Sequence, residues 1–261
     1  MAFPTETVYG LGADALNPEA VARIFSAKGR PVHDPIIVHV AETTDLRQVA
    51  RHVSDIVQRL AERFWPGPLT LVLPRAEIVP PVVTAGGDTV AVRCPAHPVA
   101  LALIRVSATP IANRFARTSP TTAQHVLDDL AGRFDLLLDG GPTPVGVEST
   151  VLDLTQPVPT ILRPGGVTRE DLEAVLGRVT VMERPEKPIP SVPRSPGLLD
   201  RHYAPRAEMW LFMGPRGRVL EAMRERAREL AEAGKRVGLL VADEDVSTLA
   251  DEPVTVQSVG P

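Results

Sequence analysis

The 261-residue sequence predicts an α/β fold: a twisted mixed β-sheet with flanking helices, then a proline-rich linker and a small partial Rossmann-like βαβ unit. Three observations carry that expectation. Strand-length apolar runs alternate with helical stripes in the first half, as βα units do. Between residues 134 and 162 such runs follow one another with no helix between them, which adds direct strand neighbours. Six of the 27 prolines fall between Pro185 and Pro205. Proline fixes φ and lacks the amide donor, so that stretch is excluded from helices and central strands. The expected divisions are 1–184, 185–205 as linker or lid, and 206–261.

Each element has a local reason. Asn17-Pro18 has the form of an N-cap with proline in the first helical position, and Val21, Ile24 and Phe25 continue it as one stripe. Residues 36–40 read as a buried strand. From Ser54 a helix places Ile56, Leu60 and Phe64 on one face. Residues 69–73 and 89–93 are strands rich in β-branched side chains. Residues 99–104 read as helix, and Ser119-Pro120 as a second cap with proline. Runs 134–139, 147–154 and 160–162 are strands. Thr168 with Asp171 predicts a capping box for a closing helix. Beyond the linker, strand 209–212, helix 216–233 ended by Gly234, and strand 237–241 make one βαβ unit. Arg224, Arg226 and Arg228 alternate there with Glu221, Glu225 and Glu229, the pattern of a solvated helix face.

Composition excludes several classes. Hydrophobic residues at 44% and charged residues at 23% provide a core and exclude disorder as the main state. The net charge of -4 shows no global basic excess for nucleic acid. The single Cys94 forms no internal disulfide, and six scattered histidines offer no zinc spacing. No apolar run is long enough to span a bilayer, and the first residues lack signal-peptide order. These features imply a cytoplasmic protein without a metal site of its own.

The motifs narrow the chemistry. Gly10-Leu11-Gly12-Ala13-Asp14-Ala15 fits the dinucleotide fingerprint, with Glu42 in the acidic position. That mechanism requires the glycines to open a helix directly. Here the cap comes only at Asn17, so the pattern reads as a structural turn. The P-loop and nucleophile-elbow motifs are absent from the sequence. Lys28-Gly29-Arg30-Pro31 follows a helix and precedes a buried strand. The two cations suit either a polyphosphate or the helix C-terminus. Arg93 ends the strand 89–93 and Arg163 follows the strand 160–162, at carboxyl ends where ligands of α/β sheets gather. Gly146-Val147-Glu148-Ser149-Thr150 inserts polar groups into an apolar strand, which implies bound ligand or a satisfied core network.

Taken together these segments resemble the YrdC-type family of L-threonylcarbamoyladenylate synthases in its long form with an extra C-terminal domain. The matching runs begin with Phe3-Pro4-Thr5-Glu6-Thr7-Val8-Tyr9-Gly10-Leu11-Gly12, Lys28-Gly29-Arg30-Pro31 and Pro35-Ile36-Ile37-Val38-His39. They continue through Trp65-Pro66-Gly67-Pro68-Leu69-Thr70, Thr89-Val90-Ala91-Val92-Arg93, Ser119-Pro120-Thr121, Gly146 to Thr150 and Leu162-Arg163-Pro164-Gly165. Ser195-Pro196-Gly197 and Arg201-His202-Tyr203-Ala204-Pro205 are similar to the segment between the family's domains.

The resemblance implies a YrdC-like catalytic domain over 1–184 and a partial C-terminal domain over 206–261. It implies formation of threonylcarbamoyl-AMP and pyrophosphate from L-threonine, bicarbonate and ATP with Mg²⁺. Other proteins, a downstream tRNA threonylcarbamoyl transferase complex, then modify adenosine 37 of tRNA. By matching position, Lys28, Arg30, Asp34, Thr89, Ser119, Arg163 and Tyr203 would contact ATP. Thr7, His39, Arg93 and Ser149 would line the threonine pocket, and Lys28, Arg30 and Asn113 would be catalytic. The chain departs from the family in a shortened loop at Ile111, Ala112 and Asn113, which lacks the family's serine, and in Asp34, where the family has asparagine. The resemblance further implies a helix and most of a strand before Phe3 and a C-terminal domain longer than 206–261. The shortened loop leaves a second expectation open, a catalytically impaired module that binds nucleotide or RNA.

Overall fold

Asn17 begins the first helix as the sequence predicts. Its Oδ1 accepts the amides of Glu19 at 3.0 Å and Ala20 at 3.1 Å, and Val21, Ile24 and Phe25 are buried. The computed structural model describes residues 1–28, 34–107, 111–114, 119–182 and 207–260. The chain forms two compact units, Met1–Ala204 and Pro205–Pro261. Among the described residues no helix is long and apolar enough to cross a membrane.

The first unit holds strands β1 (Ala2–Pro4), β2 (Tyr9–Asp14), β3 (Ile37–His39), β4 (Leu69–Pro74), β5 (Thr89–Arg93), β6 (Ile111–Arg114), β7 (Thr150–Asp153), β8 (Thr160–Arg163) and β9 (Thr180–Val181). They pair in the order β1-β2-β6-β3-β5-β4-β7-β8-β9. β3 and β5, β4 and β7, and β8 and β9 run parallel, and the other neighbours antiparallel. The helices are α1 (Pro18–Lys28), α2 (Leu46–Val49), α3 (Asp55–Phe64), α4 (Pro98–Ser107), α5 (Ala123–Leu130) and α6 (Arg169–Leu176).

Alternation along the strands gives the sheet two faces. Val38, Leu71, Leu73, Val90, Val92, Leu152 and Ile161 join the main core with the helices. Ile37, Val72, Ala91, Val151 and Leu162 form a smaller apolar cluster. In β3, β4, β5 and β7 the two sets occupy alternate positions, so the smaller cluster lies on the opposite face. The strand positions of that second face also include His39, Thr70, Thr89 and Arg93.

Several local expectations need correction. Ser119-Pro120 does not cap a helix: α5 starts later, capped by Thr122, whose hydroxyl accepts the amide of His125. In α3 the buried face carries Val57, Leu60 and Ala61, while Ile56 is 40% exposed. Gly10 and Gly12 lie inside β2 rather than in a turn. Residues 134–139 run beside β1 with one isolated bridge, Ala2 to Leu137. Strand β7 begins only at Thr150. The capping box of Thr168 and Asp171 forms as predicted.

In the second unit, α7 (Arg216–Glu232), β10 (Gly238–Val241), α8 (Asp243–Leu249) and β11 (Thr255–Ser258) bury Ala227, Leu239, Val241 and Leu249. The predicted strand 209–212 is not formed. An apolar run signals a strand whether or not a neighbour pairs with it, and β10 pairs in parallel with β11. Trp210 instead lies under the Arg226 guanidinium, 4.2 Å from the ring centre. The βαβ unit is thus β10-α8-β11, not the one predicted. Arg224 and Arg228 converge on the buried Glu252 at 2.8 and 2.7 Å, so the α7 face predicted to be solvated is partly an internal clamp.

Candidate active site

Arg93 closes β5 and is 1% exposed. A buried guanidinium must be paired. Its Nη2 lies 2.6 Å from Glu6 Oε1, and its Nε donates to the Gly67 carbonyl at 3.2 Å. Glu6 sits in the connection between β1 and β2, which is held from outside: the amides of Val145 and Gly146 donate to the carbonyls of Glu6 and Thr7. Thr7 Oγ1 in turn shares a 2.9 Å hydrogen bond with Thr5 Oγ1.

His39 is opposite Arg93 in the parallel pairing of β3 with β5. It is fully buried, with Nδ1 3.3 Å from the Ile37 carbonyl. Burial, reinforced by the Arg93 charge, pushes its pKa down to about 3 against the smaller upward pull of that carbonyl. His39 is therefore a neutral imidazole at physiological pH. Burial likewise lowers the Arg93 pKa, which Glu6 opposes and Arg163 reinforces.

Arg163 closes β8. Its Nη2 donates to the Ser149 carbonyl at 2.9 Å and to the Ser149 hydroxyl at 3.2 Å, and its Nε reaches the same carbonyl at 3.1 Å. The Ser149 and Thr70 hydroxyls are 2.7 Å apart. One residue earlier, the Glu148 carboxylate accepts the Ser119 hydroxyl. Two arginines, a neutral histidine and several hydroxyls thus gather at one end of the second sheet face, an arrangement suited to an anionic or zwitterionic ligand.

His39, Arg93, Ser149 and Arg163, all named from the sequence, meet in this cluster, Ser119 joins it through Glu148, and Thr7 follows Glu6 in the β1–β2 connection with its hydroxyl on Thr5. Asp34 and Thr89 lie elsewhere. Asp34, which is buried, precedes β3, and Thr89 opens β5. Thr89 is four residues from Arg93, about 13 Å along β5 at roughly 3.3 Å per residue, and Asp34 lies before the positions of β3 that pair with β5. Lys28 closes α1. Its side chain, that of Asn113, and all of Arg30 and Tyr203 lie outside the described residues, as does the linker from 185 to 205. The convergence expected of Lys28, Arg30 and Arg163 falls there too. Two contributors carried no role in the sequence reading. Thr70 had a usable signal, a hydroxyl on the non-core phase of an apolar strand. Glu6 had none, because its partner is far away in the chain.

The model of the Sua5, YciO and YrdC proteins, described as telomere recombination, matches residues 1–165. The chain belongs to the Sua5/YciO/YrdC family. The model described as threonylcarbamoyl-AMP synthase, C-terminal domain, matches residues 167–259. Among members of the Sua5/YciO/YrdC family, the threonylcarbamoyl-AMP synthase of Pyrococcus abyssi is 48% identical over 92% of this chain and 72% of its own length. That of Bacillus subtilis is 47% identical over 94% of this chain and 70% of its own. The crystal structure of P. abyssi Sua5 complexed with L-threonine superposes with a TM-score of 0.92 at 45% identity, covering 100% of this chain and 76% of that one.

Proposed function

We propose that this chain is an L-threonylcarbamoyladenylate synthase. The observation that carries the reading is the buried cluster of Arg93, His39, Ser149 and Arg163 at one end of a sheet face, in a chain whose relatives bear that name. The threonine amine combines with bicarbonate to give a carbamate and water. A carbamate oxygen then attacks the α-phosphorus of ATP, and pyrophosphate leaves. Little of this needs covalent participation by the protein, so catalysis rests on positioning and charge neutralisation.

In this reading Thr7, His39, Arg93 and Ser149 hold threonine. The nucleotide extends toward Asp34 and Thr89, with Arg163 and Ser119 beside its phosphates. Lys28, Arg30 and Tyr203 complete the ATP side and Asn113 the reacting centre. Mg²⁺ fits as a companion of the phosphates, since it keeps several waters and needs only one or two carboxylates. Asp34 and Glu148 are the oxygen donors on the nucleotide side. Residues 1–184 form the catalytic domain, 185–205 the linker or lid, and 206–261 part of the C-terminal domain. The product passes to a tRNA threonylcarbamoyl transferase complex in the cytoplasm, with RNA contact at that handover. The relatives favour this over a binding module without turnover.

The test is incubation of the protein with ATP, bicarbonate and labelled threonine. Pyrophosphate and labelled threonylcarbamoyl-AMP are expected in equal amounts, dependent on all three substrates. Pyrophosphate at background level overturns the proposal.

A further inference from the structure

The Glu148 carboxylate accepts the Ser119 hydroxyl through Oε1. Among the described residues no Lys, Arg or His side chain bonds to that carboxylate. An anion withdrawn from water is stabilised best by a cation or by backbone amides. Pairing with one neutral hydroxyl is therefore a poor use of a half-buried glutamate for stability alone. Both partners are fixed through their backbones. The Glu148 carbonyl accepts the Gly166 amide at 3.1 Å, and the Ser149 carbonyl that follows is held by Arg163. Ser119 leads into Pro120, whose ring fixes φ. The Pro120 carbonyl accepts the Tyr9 amide at 2.8 Å, and the Thr121 carbonyl accepts the Thr143 amide at 2.9 Å. The freedom left to the Ser119 side chain is rotation about χ1 and about its C–O bond, and the bond to Glu148 settles both.

From this we infer that Glu148 is a positioning residue for the nucleotide, acting through Ser119. The inference rests on the synthase reading, in which Ser119 lies on the ATP side. A serine hydroxyl has one proton to donate and two lone pairs that accept. With the proton committed to Glu148, the oxygen turns only lone pairs toward the ligand. Ser119 then receives a donor group of the nucleotide, an O–H or N–H, and does not donate to one of its acceptors. Without Glu148 the hydroxyl samples the staggered rotamers and donates to whichever acceptor is nearest, phosphate oxygens included. Fixing it before ATP arrives removes that ordering cost from binding. The segment that carries Glu148 is also the one Arg163 grips, so Ser119 and Arg163 are set against each other in a single frame.

A double-mutant cycle tests this, read as steady-state pyrophosphate release with ATP and threonine titrated separately. Ser119→Ala and Glu148→Ala are each expected to lower kcat/KM for ATP by roughly tenfold or more, as misplaced binding groups do, with the KM for threonine near native. Because Glu148 acts through Ser119, adding Glu148→Ala to Ser119→Ala is expected to cost nothing further. Native kcat/KM in Glu148→Ala, or losses that multiply in the double variant, overturn the inference. So does an equal rise in KM for both substrates, which a general loosening of the structure would give. Glu148→Gln, equal in size and still an acceptor, is expected to lose less than Glu148→Ala, and a loss as deep overturns the inference. Should Glu148→Ala not fold, the cycle runs with Glu148→Asp, whose carboxylate is drawn back by one methylene, and multiplying losses again decide against it. Native protein that releases no pyrophosphate overturns the synthase reading itself. Multiplying losses in an active protein leave that reading intact.

Discussion

The hydroxyls of Thr70 and Ser149 meet at 2.7 Å although 79 residues separate them. The parallel pairing of β4 with β7, Leu69 opposite Thr150 and Thr70 opposite Val151, brings them together. Ser149 is also the residue to which Arg163 clamps through three contacts. Thr70 therefore acts on the site through Ser149, fixing the rotamer in which that hydroxyl receives Arg163.

Thr70→Val keeps the branched shape and removes the hydroxyl. Losing one buried hydrogen bond with its partner left in place costs about 1–3 kcal/mol. Thermal unfolding is expected to fall by that amount. The KM for threonine should rise several-fold while the KM for ATP stays near native, as separate titrations of the two substrates would reveal. Equal changes in both would remove Thr70 from the threonine side.

Arg163→Lys preserves charge and loses the planar fork. A lysine ammonium is a point donor and cannot reproduce contacts to both the carbonyl and the hydroxyl of Ser149. Steady-state pyrophosphate release is expected to drop at least tenfold in kcat/KM for ATP, with a native circular dichroism spectrum. Full activity in the lysine variant would show that only the charge at 163 matters.

Much of the fold was legible because its signals are local. The Asn17 cap, the Thr168 box and the strand phases of β4 and β5 each depend on a few adjacent residues. The Ser119-Pro120 cap failed for an equally local reason: Thr122, three residows along, reaches the His125 amide. The strand predicted at 209–212 failed because pairing depends on a neighbour rather than on the run itself. The site divides in the same way. Arg93 and Arg163 could be named because one ends and the other follows a strand-like run. The Glu6–Arg93 pair could not, because only the sheet order brings their segments together.

His39 makes stability depend on pH. Its folded pKa of about 3 lies below the ordinary value of 6.5, so the unfolded chain binds the proton more readily. The stabilisation is complete above pH 6.5 and is lost progressively as pH falls toward 3, on the order of a few kcal/mol in all. His39→Gln removes the titrating group. Urea unfolding followed from pH 7 to pH 4 should therefore show a shallower decline in the variant than in the native protein. Parallel declines would mean that other groups govern acid sensitivity.

Gly165 offers a test of the site that leaves every polar group in place. It follows β8 and passes against the segment that carries Glu148 and Ser149. A Cβ built there would lie 2.3 Å from the Glu148 carbonyl oxygen and 2.5 Å from both the Ser149 carbonyl carbon and the Thr150 nitrogen. All three are backbone atoms, so a side chain swing cannot relieve the contact. Either β8 or the 148–150 segment must move. The same segment bears the Ser149 hydroxyl, the Ser149 carbonyl held by Arg163, and the Glu148 carboxylate that accepts Ser119. Displacement of a substrate-positioning group by about 1 Å can cost roughly 10²-fold in rate. Gly165→Ala is accordingly expected to lower pyrophosphate release by about that factor. Its thermal stability should fall by the 1–3 kcal/mol typical of overpacking, leaving a folded protein at 25 °C to assay. A variant with native turnover would show that the 148–150 backbone can shift without consequence, and that Ser149 does not set the reacting geometry.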